Sequence, residues 1–186
     1  MGPTAVRPAD DLPWVSGFGA HEPSFGAEVF VDRAARIIGQ VELGDRCSVW
    51  PGAVLRADDD RIVVGAGSAV LDQALLEAPT GRPVVVGAGV LISHQACVHG
   101  AHIEDRALVG IGAIVLDGAV VGTRSLVAAG ALVPPGMVVP ADTLVLGQPA
   151  KVVRVLRDDE KQRSLRQLAE VAAKAAQYLD VRASHE

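Results

Sequence analysis

Aliphatic residues recur at every sixth position through most of this chain, and this period constrains the fold more than any other feature. The series contains only Val, Ile and Leu: Val31, Ile37, Leu43, Val49, Leu55, Val64, Val70, Leu76, Val86, Ile92, Val98, Ile103, Val109, Val115, Val121, Val127 and Val133. A period of six fits neither an α-helix, which repeats every 3.6 residues, nor a flat strand, which repeats every two. It fits short strands folded at regular corners, with three hexads closing one coil of a triangular prism.

The composition agrees with a narrow prism. Hydrophobic residues make up 49% of the chain but aromatic residues only 3%, so the interior must be built from small aliphatic side chains. Residues at equal hexad positions stack from coil to coil, about 4.8 Å apart. Three faces follow from the period: face one carries Leu43, Val64, Val86 and Ile103, face two carries Val49, Val70, Ile92 and Val109, and face three carries Leu55, Leu76, Val98 and Val115.

The period also divides the chain. Residues 1–30 have no clear repeat, residues 31–148 form the prism, and residues 149–186 form a C-terminal segment. The phase slips at 57–63, at 78–85 and just before Ile103, and the second slip, APTGRPV, predicts a loop at a corner. Behind Asp158 as N-cap, helical spacing of Leu165, Leu168, Ala172, Ala175 or Ala176, and Leu179 predicts an α-helix packed on the outside of the prism.

Charge and cysteine content exclude several classes of function. The 17 Lys and Arg residues against 22 Asp and Glu give a net charge of -5, with no basic run, which disfavours nucleic acid and anionic membranes as partners.

No apolar run approaches the ~20 residues of a membrane span, and the N-terminus has no leader pattern, so we expect a cytoplasmic protein. Cys47 and Cys97 lack the spacing of a zinc knuckle and are expected to pack at corners.

Ionisable side chains gather in two columns on neighbouring coils. Arg56, Glu77 and His99 each follow a face-three aliphatic directly, so they are expected to stack. Asp72 and His94 each come two places after a face-two aliphatic and form a second column. The columns lie on different sides of the prism, so a site that uses both needs a neighbouring subunit, as in a cyclic trimer. A surface ion pair between Glu77 and Arg56 is the simpler alternative.

Specific motifs resemble those of the gamma-class carbonic anhydrases and their ferripyochelin-binding and carnitine or phenylacetate operon relatives. The motifs are HQACVHG at 94–100, SVWPGAVLRAD at 48–58, LVPPGMVV at 132–139 and GQPAKVVR at 147–154. The resemblance covers about residues 31–156. It implies an all-β fold, a left-handed parallel β-helix of hexapeptide repeats, assembled as a homotrimer. It also implies zinc or iron(II) at each subunit interface, bound by histidines of two chains.

The family's metal ligands map onto His94, His99 and Glu77, so a carboxylate stands where the third histidine is expected. In the family's N-x-Q-D-G element only Asp72 remains, and Leu71 replaces the pocket glutamine. Arg56, Asp58 and Asp72 match family residues that form interface ion pairs. Asp59 matches an acidic position that some members use in proton transfer, and His102 is a further candidate near the site.

The resemblance implies that an activated water attacks carbon dioxide to give bicarbonate. With Glu77 and Leu71 in the site, the expected carbonic anhydrase activity is weak or absent, although two histidines and one carboxylate remain a competent metal set. Two alternatives stay open. One is a metal-free trimeric scaffold without catalysis, and the other is a hexapeptide acyltransferase acting on an acyl thioester. His21 and His185 carry no functional signal.

Overall fold

A computed structural model describes residues 14–183, so His185 and the first residues of the predicted N-terminal segment lie outside it. The strands are β1 Val15–Ser16, β2 Ser24–Phe25, β3 Phe30–Val31, β4 Arg36–Leu43, β5 Ser48–Val49, β6 Val54–Val64, β7 Ala69–Val70, β8 Leu75–Glu77, β9 Val84–Val86, β10 Leu91–Ile92, β11 Cys97–His99, β12 His102–Ile103, β13 Leu108–Val109, β14 Ile114–Val115, β15 Val120–Val121, β16 Leu126–Val127, β17 Leu132–Val133, β18 Val138–Val139, β19 Thr143–Gly147 and β20 Ala150–Val155. One helix, α1, spans Asp158–Ala183.

The strands stack in parallel to form a β-helix, as the period predicts, and the helix is left-handed, as the resemblance implies. The register pairs Val49 with Val70 on face two, Leu43 with Val64 on face one, and Leu55 with Leu76 on face three. Face two is the 8-stranded sheet β20-β19-β16-β13-β10-β7-β5-β3. Faces one and three form a 12-stranded sheet, because β4 and β6 each run through one corner without interruption.

The core consists of the periodic aliphatic residues. Every member of the series is buried, and most are completely inaccessible to solvent. Burying one such side chain stabilises the fold by about 1.5–3 kcal/mol. Small residues fill the corners, where Ala53, Ala74 and Ala113 are at most 1% exposed.

The phase slips are irregular corners. The first lies inside β6, which passes from face three to face one as a single long strand. The second is the loop 78–83 between β8 and β9, closed by a hydrogen bond from the Arg82 amide to the Pro79 carbonyl of 2.9 Å. After the last coil, β19 and β20 form an antiparallel hairpin that the sequence did not predict.

Helix α1 packs on face two, but its start and its buried stripe differ from the sequence prediction. Asp158 is the first helical residue rather than the N-cap, because the Glu160 carboxylate accepts a 2.9 Å bond from the Arg157 amide and thereby closes the first turn. The stripe against the sheet is Leu168, Val171, Ala175 and Leu179. Leu165 and Ala172 are exposed, contrary to expectation. No helix within residues 14–183 is both long and apolar enough to cross a membrane.

Candidate metal centre

The first ionisable column forms on face three, as predicted. The register places Arg56 beside Glu77 and Glu77 beside His99 on three successive coils. Their side chains are partly exposed, at 39%, 22% and 31%. Arg56 donates to Asp58 at 2.8 Å and to Glu77, and these two carboxylates raise the pKa of the Arg56 guanidinium above its ordinary value.

His99 is held between two carboxylates. Its Nδ1 lies 2.5 Å from Asp117 Oδ1, and its Nε2 lies 3.9 Å from Glu77 Oε2. Because an ionised carboxylate only accepts hydrogen bonds, a neutral His99 ring bonded to Asp117 carries its proton on Nδ1, and its Nε2 lone pair then faces Glu77. Two ligand atoms that share one zinc ion tetrahedrally lie about 3.4 Å apart, given metal bonds of about 2.1 Å. The 3.9 Å between His99 Nε2 and Glu77 Oε2 exceeds this separation, so the two side chains would have to move closer together to share one metal ion.

The second column lies in the corner turns that follow the strands of face two. His94 Nδ1 is 3.0 Å from Asp72 Oδ2, and both side chains are about half exposed. His94 lies in the corner turn before β11, whereas His99 is the last residue of β11, so the two side chains project from different sides of the prism. Within the described part of the chain, no three His, Cys, Asp or Glu side chains gather closely enough to hold a metal ion. A site that contains both histidines requires a second chain.

The structure places the remaining candidates less favourably. Asp58 belongs to the column through Arg56, but Asp59 is exposed on β6 and bonds to no column residue among those the structure describes. His102 is exposed on face one, between Val85 and Val120 in the register, away from the face-three column. It does not supply the missing ligand within one chain.

Leu71 lies near His94 but is only 5% exposed. It packs with Leu91, Leu108 and Ala175 of α1, and it lines, together with His94, a groove of about 410 Å³. An apolar side chain in this place supplies no hydrogen bond to a substrate.

Sequence reasoning missed Asp117, the closest polar partner of His99. Coil stacking compares residues at equal hexad positions, and the register sets Val98 opposite Val115, so His99 aligns with Leu116. The Asp117 carboxylate reaches His99 from one position further along the next coil. An acidic residue immediately after the stacked position is the signal that could have revealed it.

Neither cysteine is a reactive candidate. Cys47 is buried and its thiol donates to the Gly65 carbonyl at 3.2 Å, while burial raises its pKa. Burial also raises the pKa of Cys97, and the negative charge of Glu77 adds to the effect. Both thiols therefore stay protonated at neutral pH.

Comparison with known proteins gives consistent relatives, although no protein-family model matches the chain. The chain is 48% identical over 132 residues to a Methanocaldococcus jannaschii protein named "Probable carbonic anhydrase", a match that covers 71% of this chain and 83% of the relative. It is 36% identical over 144 residues to "Gamma carbonic anhydrase 2, mitochondrial" of Arabidopsis thaliana, covering 74% of this chain and 52% of the relative.

A solved structure of a hexapeptide transferase family protein from Anaplasma phagocytophilum superposes with a TM-score of 0.85 at 33% identity, covering 88% of this chain and 97% of the other. The hexapeptide-repeat fold and the HQACVHG motif agree with these relatives. The chain belongs to the gamma-class carbonic anhydrase family.

Proposed function

We propose that the chain forms a homotrimer and binds a divalent metal ion at each subunit boundary, with zinc favoured over iron(II). The ligands are His99 and Glu77 of one subunit and His94 of the partner subunit. The observation that carries the proposal is the His99 ring, whose Nδ1 is held by Asp117 while its Nε2 faces Glu77 at 3.9 Å. Carboxylate-bonded histidines of this kind are the usual metal ligands of proteins.

Apolar rows on two outer faces support the trimer. Face three carries a half-buried row beside the column: Val54, Leu75, Cys97, Ile114 and Leu132. On the other side, Ile111 lines the groove next to His94 and is 53% exposed. A cyclic trimer brings unlike faces of neighbouring copies together, so it covers both surfaces and joins the two histidine columns.

The reaction we propose is the interconversion of carbon dioxide and bicarbonate, or chemistry on a related small substrate, as the relatives' names indicate. A bound zinc or iron(II) ion supplies the positive charge that acidifies a water molecule near neutral pH. The chain's own residues fix the ligands: Asp117 orients His99, and Arg56 holds Glu77 in place.

We expect this activity to be weak. Glu77 brings a negative charge where an uncharged imidazole is expected, so the cation attracts electrons less strongly and the water stays less acidic. Leu71 is apolar and buried, so its side chain forms no hydrogen bond that could orient the nucleophile. Asp59 remains the candidate for proton transfer to solvent because it is exposed close to Arg56.

A metal-free trimeric scaffold is the second candidate, and the Arg56–Glu77 ion pair favours it. Arg56 already neutralises the Glu77 carboxylate, so a metal ion has to compete with a guanidinium for this ligand. An acyltransferase is the third candidate, supported by the names of solved neighbours, among them a "putative acetyltransferase" from Bacillus cereus with a TM-score of 0.88 at 30% identity.

Metal content separates these candidates. Untagged protein purified without chelator is analysed for zinc and iron per chain, together with His94→Ala, His99→Ala and His102→Ala. The proposal predicts near-stoichiometric metal that is lost in the first two variants and kept in the third, which removes an exposed histidine of face one. A protein that takes up neither zinc nor iron(II) when both are offered supports the scaffold. Binding of an acyl thioester in place of metal supports the acyltransferase.

A further inference from the structure

We propose that Asp117 is a positioning residue that selects the metal-binding nitrogen of His99. This inference rests on the proposed metal site and deepens it. Asp117 follows β14, and its carboxylate oxygen lies 2.5 Å from His99 Nδ1. The two residues lie on successive coils, 18 positions apart.

The argument begins with the two states of a neutral imidazole. A neutral ring carries one proton, either on Nδ1 or on Nε2, and a hydrogen-bond partner at one nitrogen decides which state prevails. The Asp117 carboxylate accepts from Nδ1, so the proton stays there and Nε2 keeps its lone pair. Nε2 is the nitrogen that faces Glu77, where the proposed ion binds.

The surroundings of Asp117 fix its position. A Cβ atom built on Gly100 would lie 2.7 Å from the Asp117 carboxylate and 2.8 Å from Cβ of Arg82, so this glycine leaves the space that the carboxylate fills. The loop 78–83 closes the other side, with Pro79 and Arg82 against Gly100. Gly100 also has a φ of 55°, in the left-handed region that favours glycine.

The effect of Asp117 on metal binding follows from this geometry. Without the carboxylate, part of the neutral His99 population carries its proton on Nε2 and must rearrange before it binds metal. Loss of such a carboxylate partner typically lowers metal affinity by about 10- to 100-fold.

Two measurements on the whole 186-residue chain test the inference. The first is the ring-nitrogen chemical shifts of His99 in metal-free protein above the imidazole titration, with His99→Ala used to assign the signals. We expect the Nδ1–H form in the unmodified protein and a shift toward the Nε2–H form in Asp117→Ala. The second is zinc affinity by competition with a chromogenic chelator, expected to fall about 10- to 100-fold in Asp117→Ala.

Asp105→Ala is the matched control. Asp105 is an exposed corner carboxylate that accepts a 2.9 Å bond from the Ala88 amide and has no histidine partner among the described residues. We expect it to change neither measurement. If the proton form of His99 is the same with and without Asp117, the inference is wrong even if zinc binds. If Asp117→Ala shifts the proton form but the unmodified protein binds no metal, the positioning role stands and the proposed function fails.

Discussion

Replacing Glu77 with His tests whether one ligand change accounts for weak activity. His99 Nε2 and Glu77 Oε2 lie 3.9 Å apart. If both side chains bound one ion through metal bonds of about 2.1 Å, a water on that ion would lie about 4 Å from the Glu77 charge. At that distance a unit charge contributes about 1 kcal/mol in water and about 4 kcal/mol in a partly buried site. With 1.36 kcal/mol per pKa unit, Glu77→His lowers the pKa of the water by ~1–3 units.

The assay is stopped-flow hydration of carbon dioxide at neutral pH, with metal content measured on the same samples. We expect the hydration rate per bound metal to rise at least about tenfold in Glu77→His, because more of the water is ionised. Glu77→Gln is the control: it removes the charge without restoring an imidazole ligand, so any gain in it reports the charge alone. If metal affinity and hydration are unchanged in Glu77→His, the charge argument is refuted and neighbouring changes such as Leu71 are responsible.

Two further predictions concern the fold. Leu76→Ala empties a completely buried position of the prism and should destabilise the protein by about 2–5 kcal/mol, measured by urea unfolding; a cost below about 1 kcal/mol would contradict the packing described for the core. Glu160 is predicted to stabilise the start of α1 in a pH-dependent manner, because the Arg154 guanidinium and the Arg157 amide lower its pKa from 4.5 to about 2. The stabilisation by ionised Glu160 is present above about pH 5 and is lost as the pH falls toward 2. The difference in urea midpoint between the unmodified protein and Glu160→Gln should therefore shrink over that range. A difference that stays constant would contradict the prediction.

The repeat predicted the fold because one periodic constraint acts on every coil. Each aliphatic of the series points inward, and coil stacking then fixes which outward residues meet, so the period alone was enough to predict the Arg56–Glu77–His99 column. The same reasoning failed where contacts do not follow the period. Asp117 reaches His99 from the next position along the chain, and no rule of equal positions finds it.

The C-terminal segment was predictable only in part for a similar reason. Its helix was recognised from spacing, but the buried stripe was set by the shape of face two, which selects Val171 and leaves Leu165 45% exposed. The sequence of this helix offers more than one apolar stripe, and tertiary packing decides between them. The hairpin β19–β20 has no period of six, so the repeat gave no information on it.

His94 and His99 project from different sides of the prism, and this has a consequence for trimers that mix two variants. In the proposed trimer each chain contributes to two different sites, so a chain that lacks either histidine damages a site it shares with a neighbour. Chains with His94→Ala and chains with His99→Ala are each unable to build a complete ligand set alone. Refolded together, they should regain some intact sites, at boundaries where the first variant supplies His99 and the second supplies His94. Partial recovery of metal binding on mixing would thus show that each site takes His99 from one subunit and His94 from its neighbour.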